Sequence, residues 1–134
     1  MIYVLDACAM IAFLSGEAGA DVVESALLEP GSQCLAHSIN LCEVYYVFMR
    51  KGGEATAESA LEDLKAAGVV ERNDSDGAFW QEVGKFKATQ VKISLADCCA
   101  ITLTNRSGGL MLTSDHHELD PVAAGGLCRI KFIR

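Results

Sequence analysis

Two short apolar runs, Ile2-Tyr3-Val4-Leu5 and Leu110-Met111-Leu112, lie near opposite ends of the chain, and each leads into an aspartate. Asp6 follows the first run directly. Asp115 follows the second after Thr113-Ser114. Runs this short and this apolar read as buried strands. Between them, glycine and proline cut the chain into alternating strand-like and helix-like pieces. Such alternation dictates a parallel sheet with helices on both faces. The expected fold class is therefore α/β: one three-layer α/β/α domain over residues 1–134 with a central, mostly parallel sheet. If the two runs are neighbours in that sheet, Asp6 and Asp115 leave it at the same edge. In open α/β sheets that edge is where ligands bind.

The remaining pieces follow from the same punctuation. Helices are expected over 7–15, ended by Gly16, and over 19–28, closed by Pro30-Gly31. A weak strand at 33–36 precedes Ser38, which opens a nearly continuous apolar helix over 39–51 ending at Gly52-Gly53. An acidic amphipathic helix spans 54–67, with Ala57, Ala60, Leu61 and Leu64 on one stripe. A short strand follows at 69–71, then a helix over 76–90. Ser94 opens a helix that runs to about Asn105. After the strand at 110–113 come a short helix, 117–124, and a last strand, 128–132. In that strand Ile130 and Phe132 alternate with Arg129 and Lys131, as an outer strand does.

Length and composition exclude several classes. A chain of 134 residues that is 51% hydrophobic and 22% charged has enough apolar material for a core and is not disordered. No apolar run approaches the roughly 18 residues of a membrane helix. The start Met-Ile-Tyr-Val-Leu-Asp has neither the basic region nor the cleavage site of a signal peptide, and a cytoplasmic location is expected. None of the six cysteines forms a C-x-x-C pair, so zinc and thioredoxin-like readings are weak; most should be buried thiols. The net charge of -7 is uneven: residues 1–71 hold 3 basic and 11 acidic side chains, and residues 72–134 hold 8 and 7. That is not the footprint of a strong non-specific nucleic-acid binder. It leaves open an enzyme that engages a few phosphates through a metal.

Two further acids complete the constellation. Glu43 lies early in the helix opened by Ser38, and Asp97 lies in the first turn of the helix opened by Ser94. Two unit charges about 4 Å apart repel by roughly 4 kcal/mol at an effective dielectric of about 20. Converging carboxylates therefore need raised pKa values or a bound cation. All-oxygen ligand sets suit Mg2+ or Mn2+ better than zinc, and magnesium takes part of its shell from substrate phosphates.

These residues resemble the motifs of one family. Val4-Leu5-Asp6-Ala7 followed by Ile11 resembles the opening of PIN domains. Asn40-Leu41-Cys42-Glu43-Val44 resembles their N-x-x-E-V segment, Leu95-Ala96-Asp97 followed by Ala100 their third motif, and Leu112-Thr113-Ser114-Asp115 their fourth. Order, spacing and length match across essentially the whole chain, and the compact size most resembles VapC-type toxins. The resemblance implies a metal-dependent ribonuclease in which Asp6, Glu43, Asp97 and Asp115 hold one or two Mg2+ or Mn2+ ions, with Asp6 and Asp97 as direct ligands. It also implies a homodimer, an RNA substrate and a small antitoxin that blocks the acidic pocket. Asn40, one helical turn before Glu43, is expected to orient that carboxylate or touch substrate. Thr113 and Ser114 are expected to supply supporting hydrogen bonds. The family often has another acid within two residues of the fourth. Here His116 and His117 stand there, so a further ligand would have to be Glu118 or Asp120.

Other readings stay open. Asp6, Asp97 and Asp115 each sit where a helix-capping or first-turn carboxylate belongs. The lysines Lys85, Lys87 and Lys92 and the terminal Arg129, Lys131 and Arg134 are either phosphate contacts or ordinary surface charge. As functions, a catalytically inactive module whose pocket receives a basic peptide competes with the nuclease. A phosphatase with Asp6 as nucleophile is a third, weakened by Cys8 where such enzymes carry a second aspartate.

Overall fold

The computed structural model describes residues 1–134. Its elements follow the sequence in the order β1 (Ile2–Leu5), α1 (Ala7–Ser15), α2 (Ala20–Leu28), β2 (Gln33–His37), α3 (Ser38–Gly52), α4 (Glu54–Ala67), β3 (Val69–Arg72), α5 (Gly77–Thr89), α6 (Leu95–Ser107), β4 (Leu110–Thr113), α7 (His116–Ala124) and β5 (Ile130–Phe132). No helix is long and apolar enough to cross a membrane.

The five strands form one parallel sheet in the order β3-β2-β1-β4-β5. From β1 the chain winds outward to β2 and β3, then returns to the other side of β1 for β4 and β5. The winding direction therefore reverses between β1 and β4. At such a reversal the loops leaving the carboxyl ends of the two strands part and open a crevice. Register fixes what lines it. Leu5 pairs with Leu112, and the Asp6 N–H continues the ladder to the Leu112 carbonyl at 3.3 Å. Close approach at the other end of the pair requires glycine: a Cβ on Gly109 would lie 2.7 Å from the Ile2 carbonyl oxygen.

Strand alternation builds both halves of the core. Val4, Leu35 and Met111 face one side and pack with α5, α6 and α7 residues such as Phe79, Ile101, Leu103 and Leu119. Leu5, Cys34, Ala36 and Leu112 face the other and pack with Met10, Val23, Val44 and Leu64. Helices thus cover both faces, as an all-parallel sheet requires. Most element boundaries fall within a residue or two of expectation, and two of the differences matter. The cap of α3 is His37, not Ser38: its Nδ1 accepts from the Ile39 N–H at 3.1 Å while its Nε2 meets the Asp74 carbonyl at 2.9 Å. The last strand is confined to 130–132, at the edge of the sheet.

Candidate metal centre

Asp6 leaves β1 and caps α1. Its Oδ1 accepts from the Ala9 N–H at 2.8 Å, and its Oδ2 accepts a short hydrogen bond from the Thr113 hydroxyl. The residue is 1% exposed. Burial pushes its carboxyl up to about 7 in spite of these two donors, and the charges of Asp115 and Glu43 push the same way. Thr113, at the end of β4, also accepts from the Asp115 N–H at 3.0 Å. One buried hydroxyl therefore fixes two of the acids. Asp115 in turn caps α7, accepting from the Glu118 N–H at 3.0 Å. The capping readings and the convergence of these acids are thus compatible: the caps aim the helices' N-termini at the crevice and hold the carboxylates there.

Asp97 arrives from the opposite side. The Ser94 hydroxyl accepts its N–H at 3.1 Å and starts α6. Burial pushes the Asp97 carboxyl well up, and the adjacent Glu118 carboxyl and the charges of Asp6 and Glu43 push the same way. One carboxylate oxygen from each of Asp97, Asp115 and Glu118 lies within 4.8 Å of the others. Glu43, half-buried on α3, is pushed up by burial and by the Glu118 charge. Asn40 is fully buried one turn before it and donates through Nδ2 to the Ala96 carbonyl at 3.3 Å. That bond pins α3 to α6. It leaves the Asn40 Oδ1 as a buried side-chain acceptor with no partner.

Five carboxylates, from the ends of β1 and β4 and from α3, α6 and α7, therefore crowd one crevice. Each charge that acts on the Asp6 and Asp97 carboxyls is another carboxylate. Mutual repulsion and lost hydration make the fully ionised group unfavourable without a cation. The donor set is all oxygen, which fits Mg2+ or Mn2+.

The profile of the PIN domain family matches residues 3–124. The chain belongs to this family. A search of curated proteins gave no match. Among solved structures, the chain is similar in fold to VapBC2 from Rickettsia felis bound to a promoter DNA fragment (13% identity, TM-score 0.73, 98% of each chain covered). It is similar to VapBC-1 from nontypeable Haemophilus influenzae (18% identity, TM-score 0.72, 99% of this chain and 98% of that one). It is also similar to VapC20 from Mycobacterium tuberculosis, a sarcin–ricin loop cleaving toxin (15% identity, TM-score 0.69, 90% and 95%).

In this PIN domain the two acids beyond Asp115 part company. Glu118 turns toward the crevice. Asp120 is exposed and pairs with His116 Nδ1 at 2.8 Å. The other ring nitrogen of His116 meets the Arg134 main-chain oxygen at 2.8 Å, and the ring stacks on Phe132 with centroids 3.9 Å apart. Both nitrogens face acceptors, so the Arg134 oxygen and Asp120 hold the imidazolium and raise its pKa. His116 is a clasp between α7 and the segment around β5. His117 is exposed.

Ser114 lies beside the Cys8 thiol and acts to lower its pKa. Cys8 and Cys42 are exposed, while the other four cysteines are buried as expected. In the sequence Cys8 marks only the place where a phosphatase would carry a second aspartate. Surrounding protein, and then Asp6, Asp97 and Asp115, push its thiol up to about 12, so it stands beside the acids as a protonated group. Its position two residues after Asp6 on the first turn of α1 was the available signal. The expected cations are partly committed elsewhere: Lys87 donates to the Val91 and Ile93 carbonyls, Lys85 pairs with Glu82, and Arg134 with Glu17.

Proposed function

We propose that this PIN domain is a Mg2+- or Mn2+-dependent endoribonuclease, acting in the cytoplasm as the toxin of a toxin–antitoxin pair. The observation that carries the reading is the convergence of Asp97, Asp115 and Glu118 within 4.8 Å at the sheet's reversal point, with Asp6 buried beside them. Asp6, Glu43, Asp97, Asp115 and Glu118 would hold the ion or ions. A bound ion supplies Lewis acidity: it acidifies a water and offsets charge on the scissile phosphate. The chain's own residues do the positioning. Thr113 orients Asp6 and the Asp115 backbone, and Asn40 sets α3, with Glu43, against α6, with Asp97. The likeness in fold to a toxin that cleaves the sarcin–ricin loop supports RNA as substrate. The VapBC structures support a small antitoxin partner, whose basic segment would complement the acidic crevice. A homodimer belongs to the same reading.

The test compares wild type with Asp6→Asn and Asp97→Asn on total cellular RNA in Mg2+, Mn2+ and EDTA, using protein freed of any co-purified partner. Cutting by wild type alone, abolished by EDTA, is the expected result. Folded wild-type protein that cuts in no metal would turn the acidic crevice into a binding pocket for a basic peptide.

A further inference from the structure

α3 carries Asn40 and Glu43, and the way its start is held sets where they stand. A helix N-cap is ordinarily a hydroxyl, amide or carboxylate oxygen that accepts a backbone N–H of the first turn. Here the acceptor is an imidazole nitrogen: His37 Nδ1 takes the Ile39 N–H at 3.1 Å. The other ring nitrogen, Nε2, lies 2.9 Å from the Asp74 carbonyl oxygen. A carbonyl can only accept, so the proton belongs on Nε2 and Nδ1 keeps its lone pair. One tautomer of the neutral ring satisfies both bonds. The other tautomer and the imidazolium each break the cap. Little room is left for the ring to turn over: His37 is 4% exposed and lies flat on Phe79, with centroids 5.2 Å apart and planes 2° from parallel.

The same ring links three segments. It ends β2, caps α3 and grips the loop after β3. That loop is tied in turn to α6. Asp74 meets the Arg106 guanidinium at 3.0 Å and Asp76 meets it at 2.6 Å, while the guanidinium carbon lies 5.1 Å from the centre of the Phe79 ring. The helix of Glu43 and the helix of Asp97 are thus joined by two routes. One is direct, from the Asn40 amide to the Ala96 carbonyl. The other runs through His37, the 73–76 loop and Arg106. The ring nitrogens of His37 bond to main-chain groups and not to the converging carboxylates, so any influence on those acids passes through α3. We propose that His37 is a positioning residue of the metal centre: its fixed tautomer sets the first turn of α3 and, through it, the approach of Asn40 and Glu43 to Asp97. The inference rests on the reading of the carboxylates as a metal-dependent nuclease site. A helix without its cap leaves first-turn N–H groups unpaired, and a small misplacement of groups carried on it is costly to catalysis.

Imidazole nitrogen NMR on the full chain in EDTA reads the tautomer without any substitution. The neutral form protonated on Nε2 is expected; a form protonated on Nδ1 overturns the inference. Mn2+ titration calorimetry and RNA cleavage kinetics then compare wild type with two variants, with thermal unfolding run alongside. His37→Phe keeps a flat ring against Phe79 and removes both nitrogens. Its Mn2+ affinity should fall about tenfold and its kcat about tenfold or more, with KM little changed. His37→Asn returns an oxygen to the cap and should recover most of both. If the phenylalanine variant does not fold, His37→Ala against His37→Asn gives the same contrast between a lost and a kept cap. A His37→Phe protein that is less stable than wild type yet equal to it in Mn2+ affinity and kcat overturns the inference, makes His37 merely structural and leaves the nuclease standing. Mn2+ binding that falls in His37→Phe and returns in His37→Asn, in a protein that never cuts RNA, keeps the positioning role and removes the nuclease.

Discussion

The hydroxyl of Thr113 donates to the carboxylate of Asp6 across 107 residues of sequence, and the same oxygen accepts the backbone N–H of Asp115. Thr113→Val keeps the shape and removes both bonds. Leaving the buried partners unpaired should cost roughly 1–3 kcal/mol of stability. Metal affinity should fall about 10–100-fold, as when other groups that orient ligands are lost. Thr113→Ser should recover most of both. Thermal unfolding and Mn2+ titration calorimetry on the three proteins measure the two effects separately.

A carboxyl raised from 3.8 to about 7 in the fold makes the metal-free protein lose stability as pH rises. Between those values the native state binds more protons than the unfolded chain, so the slope of unfolding free energy with pH is negative. At about 1.4 kcal/mol per unit, the Asp6 contribution is roughly 4 kcal/mol at most. In EDTA, denaturant melts from weakly acidic to weakly alkaline pH should show this decline, and Asp6→Asn should flatten it. Added Mn2+ should stabilise wild type increasingly as pH rises, because its ligands must be deprotonated, and should stabilise Asp6→Asn much less.

Asn40→Ala separates positioning from stability. The substitution removes one buried hydrogen bond and, with it, the unpaired Oδ1, so its stability cost should stay near 1 kcal/mol. Activity should fall further than that implies, about tenfold or more in kcat, because α3 is no longer pinned to α6. Chemical denaturation and cleavage kinetics together check the split; equal losses in both would make Asn40 merely structural.

Glu118→Gln and Asp120→Asn should behave as opposites although the residues are close in sequence. The first removes a member of the three-carboxylate group and should weaken Mn2+ binding at least tenfold. The second should leave metal binding intact and loosen the His116 clasp, which shows as a lowered His116 pKa by NMR. The Arg134 oxygen and Asp120 raise the His116 pKa, so the small contribution of that shift is present at acidic pH and disappears as pH rises through the folded pKa.

What the sequence discloses depends on how local the cause is. Apolar runs bounded by turn residues fix strands, so β1 and β4 were legible; that they are neighbours, which gives Asp6 and Asp115 a shared exit, is decided by the fold. Helix starts at Ser94 and stops at Gly16 and Gly108 were legible from capping chemistry. Side-chain direction was less so. Glu118 faces the crevice because it stands three residues after Asp115, whose side chain binds its N–H; Asp120, two residues further round the helix, cannot. That spacing is present in the sequence, but its meaning depends on Asp115 being a cap, which the fold decides. The His37 cap was not legible, because the Asp74 carbonyl that holds its ring is distant in sequence; Cys8 was visible two residues after Asp6, but its nearness to Asp97 and Asp115 is decided by the fold.

The sheet order has a consequence for synthesis. Asp6 leaves the ribosome more than 100 residues before its partner strand β4 and the acids at 115 and 118. No emerging fragment that stops short of β4 can assemble the carboxylate group. Whatever chemistry these acids perform is therefore silent on the nascent chain and begins only once the domain has nearly all been released.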